Sequence, residues 1–161
     1  MRRLSINLKS IVMKKLATIL TAVAMLFSSL AFATDSDNVN AKVKAAFQSD
    51  FSNATSVNWE KISDYYFATF LINNLQVNAA YSEDGELVGT SRPIETSLLP
   101  INVLLAVNKK YEGYTIAEKA LELTFQGSTN YYLTATNERQ AVKLKCSTNG
   151  AITVERKLKR K

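Results

Sequence analysis

"DYYFATF" at residues 64–70 and "NYYLTAT" at residues 130–136 decide how this chain is read. Each is a tyrosine pair followed by alternating side chains, the period of two that marks a strand with one buried face. Working outward from the first copy, Val39, Val43, Ala46, Phe47 and Phe51 fall at helical spacing and predict a helix over about 39–51. "VNWEKI", "YYFATFLI", "LQVNAAY" and "ELVGTSRPI" then read as four strands, with "NN" at 73–74 and "EDG" at 83–85 supplying hairpin turns.

The second copy sits in a similar frame. Thr96 or Ser97 is a helix cap, Pro100 lies in the first turn, and Ile101, Leu104, Leu105, Val107 and Tyr111 cover one side. Gly113 follows the helix end. Residues 115–125, "YYLTAT", "QAVKLKC" and "AITVERKL" read as four more strands, although "IAEKALEL" is rich in helix formers. Val77, Ala79 and Tyr81 match Val142, Leu144 and Cys146 at an offset of 65, as Gly85 matches Gly150, whereas the tyrosine pairs match at 66. The reading is α+β: two tandem repeats, each one helix packed on a four-stranded antiparallel sheet, at 34–95 and 96–161.

Alternation assigns the faces. Val77/Ala79/Tyr81 and Val142/Leu144/Cys146 belong under the helices, because Asn78, Lys143 and Lys145 do not suit burial there. Tyr131, Leu133 and Ala135 form the apolar set of their strand, and the match at 66 then sends Tyr65, Phe67 and Thr69 to the core. Tyr66, Phe70 and Tyr132, beside Lys143 and Lys145, are thereby placed on an open sheet face and are the candidate partner-binding residues. The plainer alternatives are that these rings only cover neighbouring strands, or that the face assignment is inverted in one repeat. Trp59 reads as a core plug or a surface anchor, and Cys146 as a small buried residue.

The leader carries its own signal. Arg2, Arg3, Lys9, Lys14 and Lys15 precede "LATILTAVAMLFSSLAFA", and "AFA" at 31–33 is a small-x-small cleavage site, so 1–33 reads as a secretory signal peptide. Met13 opens a compact signal by itself. Periplasmic or secreted location follows, with no membrane span after cleavage. The whole chain is +6, but this leader holds five of the twenty Lys/Arg and none of the fourteen Asp/Glu, leaving residues 34–161 at +1. Five of the remaining bases close the chain in "RKLKRK". A nucleic-acid groove is therefore not indicated; the basic end suits a solvated strand terminus, anionic lipid or an acidic partner.

The helix ending in "F…DF", then "VNW", "DYYFATF", "AAYSEDGELVGTSRPI", "LLPINVLLAVNKKYEGYTI", "NYYLT" and a last "NG" turn resemble the PepSY-like periplasmic proteins related to the β-lactamase-inhibitory protein. The likeness spans nearly all of 39–158. Ser52 and Glu112 depart from a proline common in that family, and Asn149 from a common aspartate. The resemblance implies tandem helix-on-sheet repeats, export and a non-catalytic protein; inhibition of a β-lactamase does not transfer with a fold.

Little in the chain suits catalysis. Histidine is absent, which removes the commonest general base and the main nitrogen ligand for metals. Glu83, Asp84 and Glu86 surround Gly85 without the ligand spacing of a calcium loop, and no Gly-rich phosphate loop or nucleophile elbow is present. The sequence thus predicts no enzyme, cofactor or metal. It predicts a secreted, inhibitor-like binding module engaging a protein or peptide of the cell envelope. The rival reading is a carrier of a small apolar ligand or an envelope structural protein.

Overall fold

Asn73 and Asn74 adopt φ of 50° and 62°, the left-handed pair that a two-residue hairpin needs. They join β2 (Tyr65–Ile72) to β3 (Leu75–Ser82) in an unbroken register from Tyr65↔Ser82 to Ile72↔Leu75. The computed structural model describes residues 39–160, so the leader read at 1–33 lies outside the described residues. Before the hairpin come α1 (Ala41–Asp50) and β1 (Thr55–Ile62), and after it β4 (Leu87–Glu95). Then follow α2 (Ile101–Lys110), β5 (Thr115–Ile116), β6 (Lys119–Phe125), β7 (Ser128–Thr136), β8 (Gln140–Ser147) and β9 (Ile152–Lys159). The strand read at 115–125 is broken at Ala117 and Glu118 into β5 and β6, and the helix-forming residues 119–123 are strand, their propensity overridden by pairing with β4 on one side and β7 on the other.

Each helix starts on a contact made far along the chain. Asn40 caps α1, its Oδ1 accepting from Val43 N at 2.9 Å, while its Nδ2 donates to Glu83 O at 2.7 Å in the β3–β4 turn. Asn102 Nδ2 likewise donates to Thr148 O in the β8–β9 turn. The predicted cap of the second helix is not formed by Thr96 or Ser97. Thr96–Leu98 make a 3₁₀ turn, Thr96 Oγ1 donates to Ala117 O, and Pro100 occupies the N-cap with its carbonyl accepting from Val103 N and Leu104 N.

The fold class differs from the sequence expectation. There are not two repeats, each a helix on its own four-stranded sheet. Among the described residues one antiparallel sheet runs β1-β2-β3-β4-β6-β7-β8-β9, with β5 paired to β7 as the ninth strand, and two helices lie on it. β4 and β6 weld the halves through seven register pairs, from Gly89↔Phe125 to Glu95↔Lys119. The molecule is dominated by its sheet. The two halves do not share one core. Trp59, Tyr66, Phe70 and Tyr81 pack against Phe47 of α1, while Tyr131, Leu133, Leu144 and Cys146 pack against Val103 and Val107 of α2. Between the two clusters the helix side of β4 and β6 is polar: Arg92 Nε donates to Glu122 Oε1 at 2.8 Å, next to Thr90 and Thr124. Polar residues there let the sheet continue without a third helix to cover it.

Candidate functional site

The site is built by which side of the sheet each residue takes. Tyr66 and Phe70, read from sequence as open-face residues, are 4 % and 1 % exposed and lie in the cluster beneath α1. Phe47 meets Phe70 edge-to-face at 5.0 Å and Trp59 at 5.1 Å, so the helix leaves no room for a partner there. Tyr131 takes the same place under α2. Tyr66 therefore corresponds to Tyr131, and Phe67 to Tyr132, at the offset of 65 that also relates Tyr81 to Cys146 and Gly85 to Gly150. The doubled tyrosine pair misleads because the second Tyr of one copy stands where the first Tyr of the other does. The offset already visible in β3 and β8 was the better guide to the faces.

Pairing carries that assignment across the sheet. The side away from the helices receives Phe67, Ala80, Gly89 and Phe125 in one row, and Thr69, Asn78, Ser91, Leu123 and Asn130 in the next. Leu121, Tyr132 and Lys145 follow, then Thr134, Lys143 and Arg156. Of the candidates named from sequence, Tyr132, Lys143 and Lys145 thus stand on one face, and Tyr66 and Phe70 do not. Tyr65 and Phe67, which sequence assigned to the core, replace them there.

This face has a floor. A Cβ on Gly89 would meet Thr124 O at 2.7 Å and the Phe125 ring at 3.2 Å, so the ring lies against a strand position that only glycine can supply. Phe67 and Ala80, in the same row, are 3 % and 4 % exposed although neither belongs to a helix-covered cluster. Beside them runs a polar ladder: Thr69 Oγ1 donates to Asn78 Oδ1 at 2.8 Å, and Asn78 Nδ2 points at Ser91 Oγ, 3.5 Å away. Asn78 and Ser91 are buried, so their side chains satisfy each other across strands.

Tyr132 is the exception to that economy. Its ring is half-buried, yet its Oη is shut from solvent and has no hydrogen-bond partner among the described residues. Burial pushes its hydroxyl above the usual phenol range, and the nearby Glu155 carboxylate adds to this. Lys145 is its cross-strand neighbour, and Lys143 is exposed one position along.

Other sequence candidates resolve plainly. Glu83 and Asp84 pair with Lys61 at 2.8 Å and Lys42 at 3.6 Å around the β3–β4 turn. Cys146 is fully buried under α2, and burial raises its thiol. Among the described residues no group of three or more His, Cys, Asp or Glu side chains could hold a metal ion. A cleft of about 640 Å³ opens beside Gly113, Thr115, Asn137, Glu138, Arg139 and Arg160, a lining too polar for an apolar ligand.

No family model matches the chain, and no curated protein does. Solved structures do. A BLIP-like protein from Bacteroides fragilis superposes with a TM-score of 0.63 at 19% identity, covering 81% of this chain and 92% of that one. A Bacteroides eggerthii protein described as periplasmic gives 0.63 at 17%, covering 75% and 88%. A DUF2874 family protein from Bacteroides uniformis gives 0.62 at 19%, covering 74% and 88%. None of these names is that of an enzyme. The predicted periplasmic or secreted location agrees with the second of them, and no helix among the described residues is long and apolar enough to cross a membrane. In fold, this chain is similar to these Bacteroides proteins, one of which is BLIP-like.

Proposed function

We propose that this is an exported, non-catalytic binding protein that engages another protein or peptide of the cell envelope through the sheet face turned away from its helices. The carrying observation is the composition of that face. Tyr65, Leu121, Phe125 and Tyr132 form an apolar and aromatic surface around the buried Phe67, and Lys143, Lys145 and Arg156 rim it on one side. Rigid rings over a buried polar ladder offer contact area with little side-chain entropy to lose. An apolar centre with a charged rim is also how protein interfaces are composed. The likeness to a BLIP-like fold supports an inhibitor-like mode of action, and kinship with PepSY-like envelope proteins belongs to the same reading.

The test uses the purified protein as bait in envelope extract from its own source. One envelope protein is expected at stoichiometric yield. Lys143→Glu with Lys145→Glu should cut its capture at least about tenfold, the scale of a lost interfacial charge pair, with the circular dichroism unchanged. Capture that survives this double change, or that is lost on altering the outer side of α2 instead, would refute the face assignment.

A further inference from the structure

We propose that the β9 edge is a docking strand for an acidic, extended segment of another protein, which joins the sheet beside Arg156, Lys157 and Lys159. Charge is divided unevenly along the chain. Residues 39–95 hold four Lys/Arg against seven Asp/Glu, and residues 96–160 hold ten against five. All three ion pairs among the described residues use cations of the first group, Lys42, Lys61 and Arg92. The ten cations of the second group stand without an ion pair among the described residues, and five of them, Arg139, Arg156, Lys157, Lys159 and Arg160, lie on or next to β9.

Their placement selects the kind of anion. Arg156 pairs with Lys143 on the open face, whereas Lys157 and Lys159 pair with Val142 and Gln140 and so project on the helix side. A flat anionic surface would meet one of these sets and turn away from the other. A strand laid along the edge meets both, because its own side chains alternate between the two faces. The edge can also offer backbone groups, since among the described residues β9 has a strand neighbour on one side only. From Lys143↔Arg156 to Gln140↔Lys159 the register is regular, the irregularity being at Glu155. Val154 and Leu158 are 39% and 38% exposed along the same strand and suit apolar residues between acidic ones.

The opposite edge is closed differently. β1 carries a register break between Thr55 and Asn58, with Ser56 at φ 54°, which spoils a straight ladder. On β9 the guard is charge. A second copy of β9 would set cation against cation, so the lysines that prevent self-pairing admit an acidic strand. This inference concerns the edge, and it stands or falls separately from the open-face reading.

The experiment follows the amide signals of the isotope-labelled protein during titration with capped octapeptides. An octapeptide alternating Val and Glu should shift the β9 amides, slow their exchange, and bind about tenfold more tightly than one alternating Pro and Glu. One alternating Val and Lys should not bind. Arg156→Glu with Lys157→Glu and Lys159→Glu should weaken the Val/Glu peptide about tenfold or more, and Leu121→Ser on the open face should leave it unchanged. Equal binding of the Pro/Glu peptide would overturn the proposal, since charge alone would then suffice. So would shifts confined to the open face, or retention on phosphatidylglycerol vesicles without peptide binding. If the triple variant does not fold, the peptide comparison on the unaltered protein still decides.

Discussion

Tyr132 holds a hydroxyl that the fold does not use. A buried, unpaired polar group costs about 1–3 kcal/mol, so Tyr132→Phe should raise the stability of the free protein by roughly 1 kcal/mol in urea titration. A fall would show that Oη has a partner after all. Tyr81 is the opposite case. It is fully buried, and its Oη donates to Asp50 Oδ2 at 2.9 Å. Burial, reinforced by Asp50, pushes its hydroxyl far above the ordinary phenol value of 10. With the folded value raised, Tyr81's contribution is complete below pH 10 and is lost as pH climbs above it. Stability should therefore decline from about pH 10 upward, and Tyr81→Phe should flatten that decline in a series of urea midpoints. Nothing in the sequence announced the Tyr81–Asp50 bond, because partners 31 residues apart leave no local pattern. The burial of Tyr81 was legible, since Val77, Ala79 and Tyr81 match Val142, Leu144 and Cys146, which alternate with Lys143 and Lys145.

At the scale of elements, two glycines seat the two helices. Gly85 and Gly150 have φ of 82° and 86°, and a Cβ on either would meet a helix carbonyl, Lys42 O or Asn102 O, at 3.0 Å. Alanine would be strained in the backbone and would press the helix off its turn. Gly85→Ala and Gly150→Ala are each expected to cost about 1–3 kcal/mol by thermal unfolding, while Gly127→Ala, with φ 75° but open space around it, should cost less. Helices, hairpin turns and strands were readable because period and turn residues are local signals. The start of α2 was not. Thr96 and Ser97 look like caps, but Thr96 is drawn to the carbonyl of Ala117, a tertiary preference that no capping pattern contains.

For the whole molecule, the decisive fact was beyond local reading. Whether two small sheets stand apart or weld into one depends on β4 meeting β6 across a helix and its connections. The sequence shows edge strands and interior strands in the same alternating pattern. Pro93 lies inside β4, although a proline suits an edge strand. It stands where β4 has already left β3, whose pairing with β4 ends at Asn78↔Ser91. One sheet with two separate cores predicts independent energetics. Val43→Ala and Val103→Ala, both fully buried, should each cost about 2 kcal/mol, and the double variant should match their sum within about 0.5 kcal/mol. A coupling well beyond that would mean that the clusters communicate through the polar strip between them. The candidate face was half legible for a related reason. Tyr132, Lys143 and Lys145 follow from alternation within their own strands, whereas Tyr65 and Phe67 depended on aligning the two halves one residue differently.

The seating of each helix also sets an order of events. Asn40 reaches Glu83 across 43 residues, and Asn102 reaches Thr148 across 46. A chain made from its N-terminus therefore produces each helix well before the turn that receives it. Until β1–β3, or later β6–β8, are made, Val43 and Phe47, or Val103 and Val107, have no sheet to cover them. Folding must wait on contacts of long sequence separation, which makes it slow for a chain of this size. It also gives a newly made chain an interval in which a holding chaperone has apolar helix faces to grip.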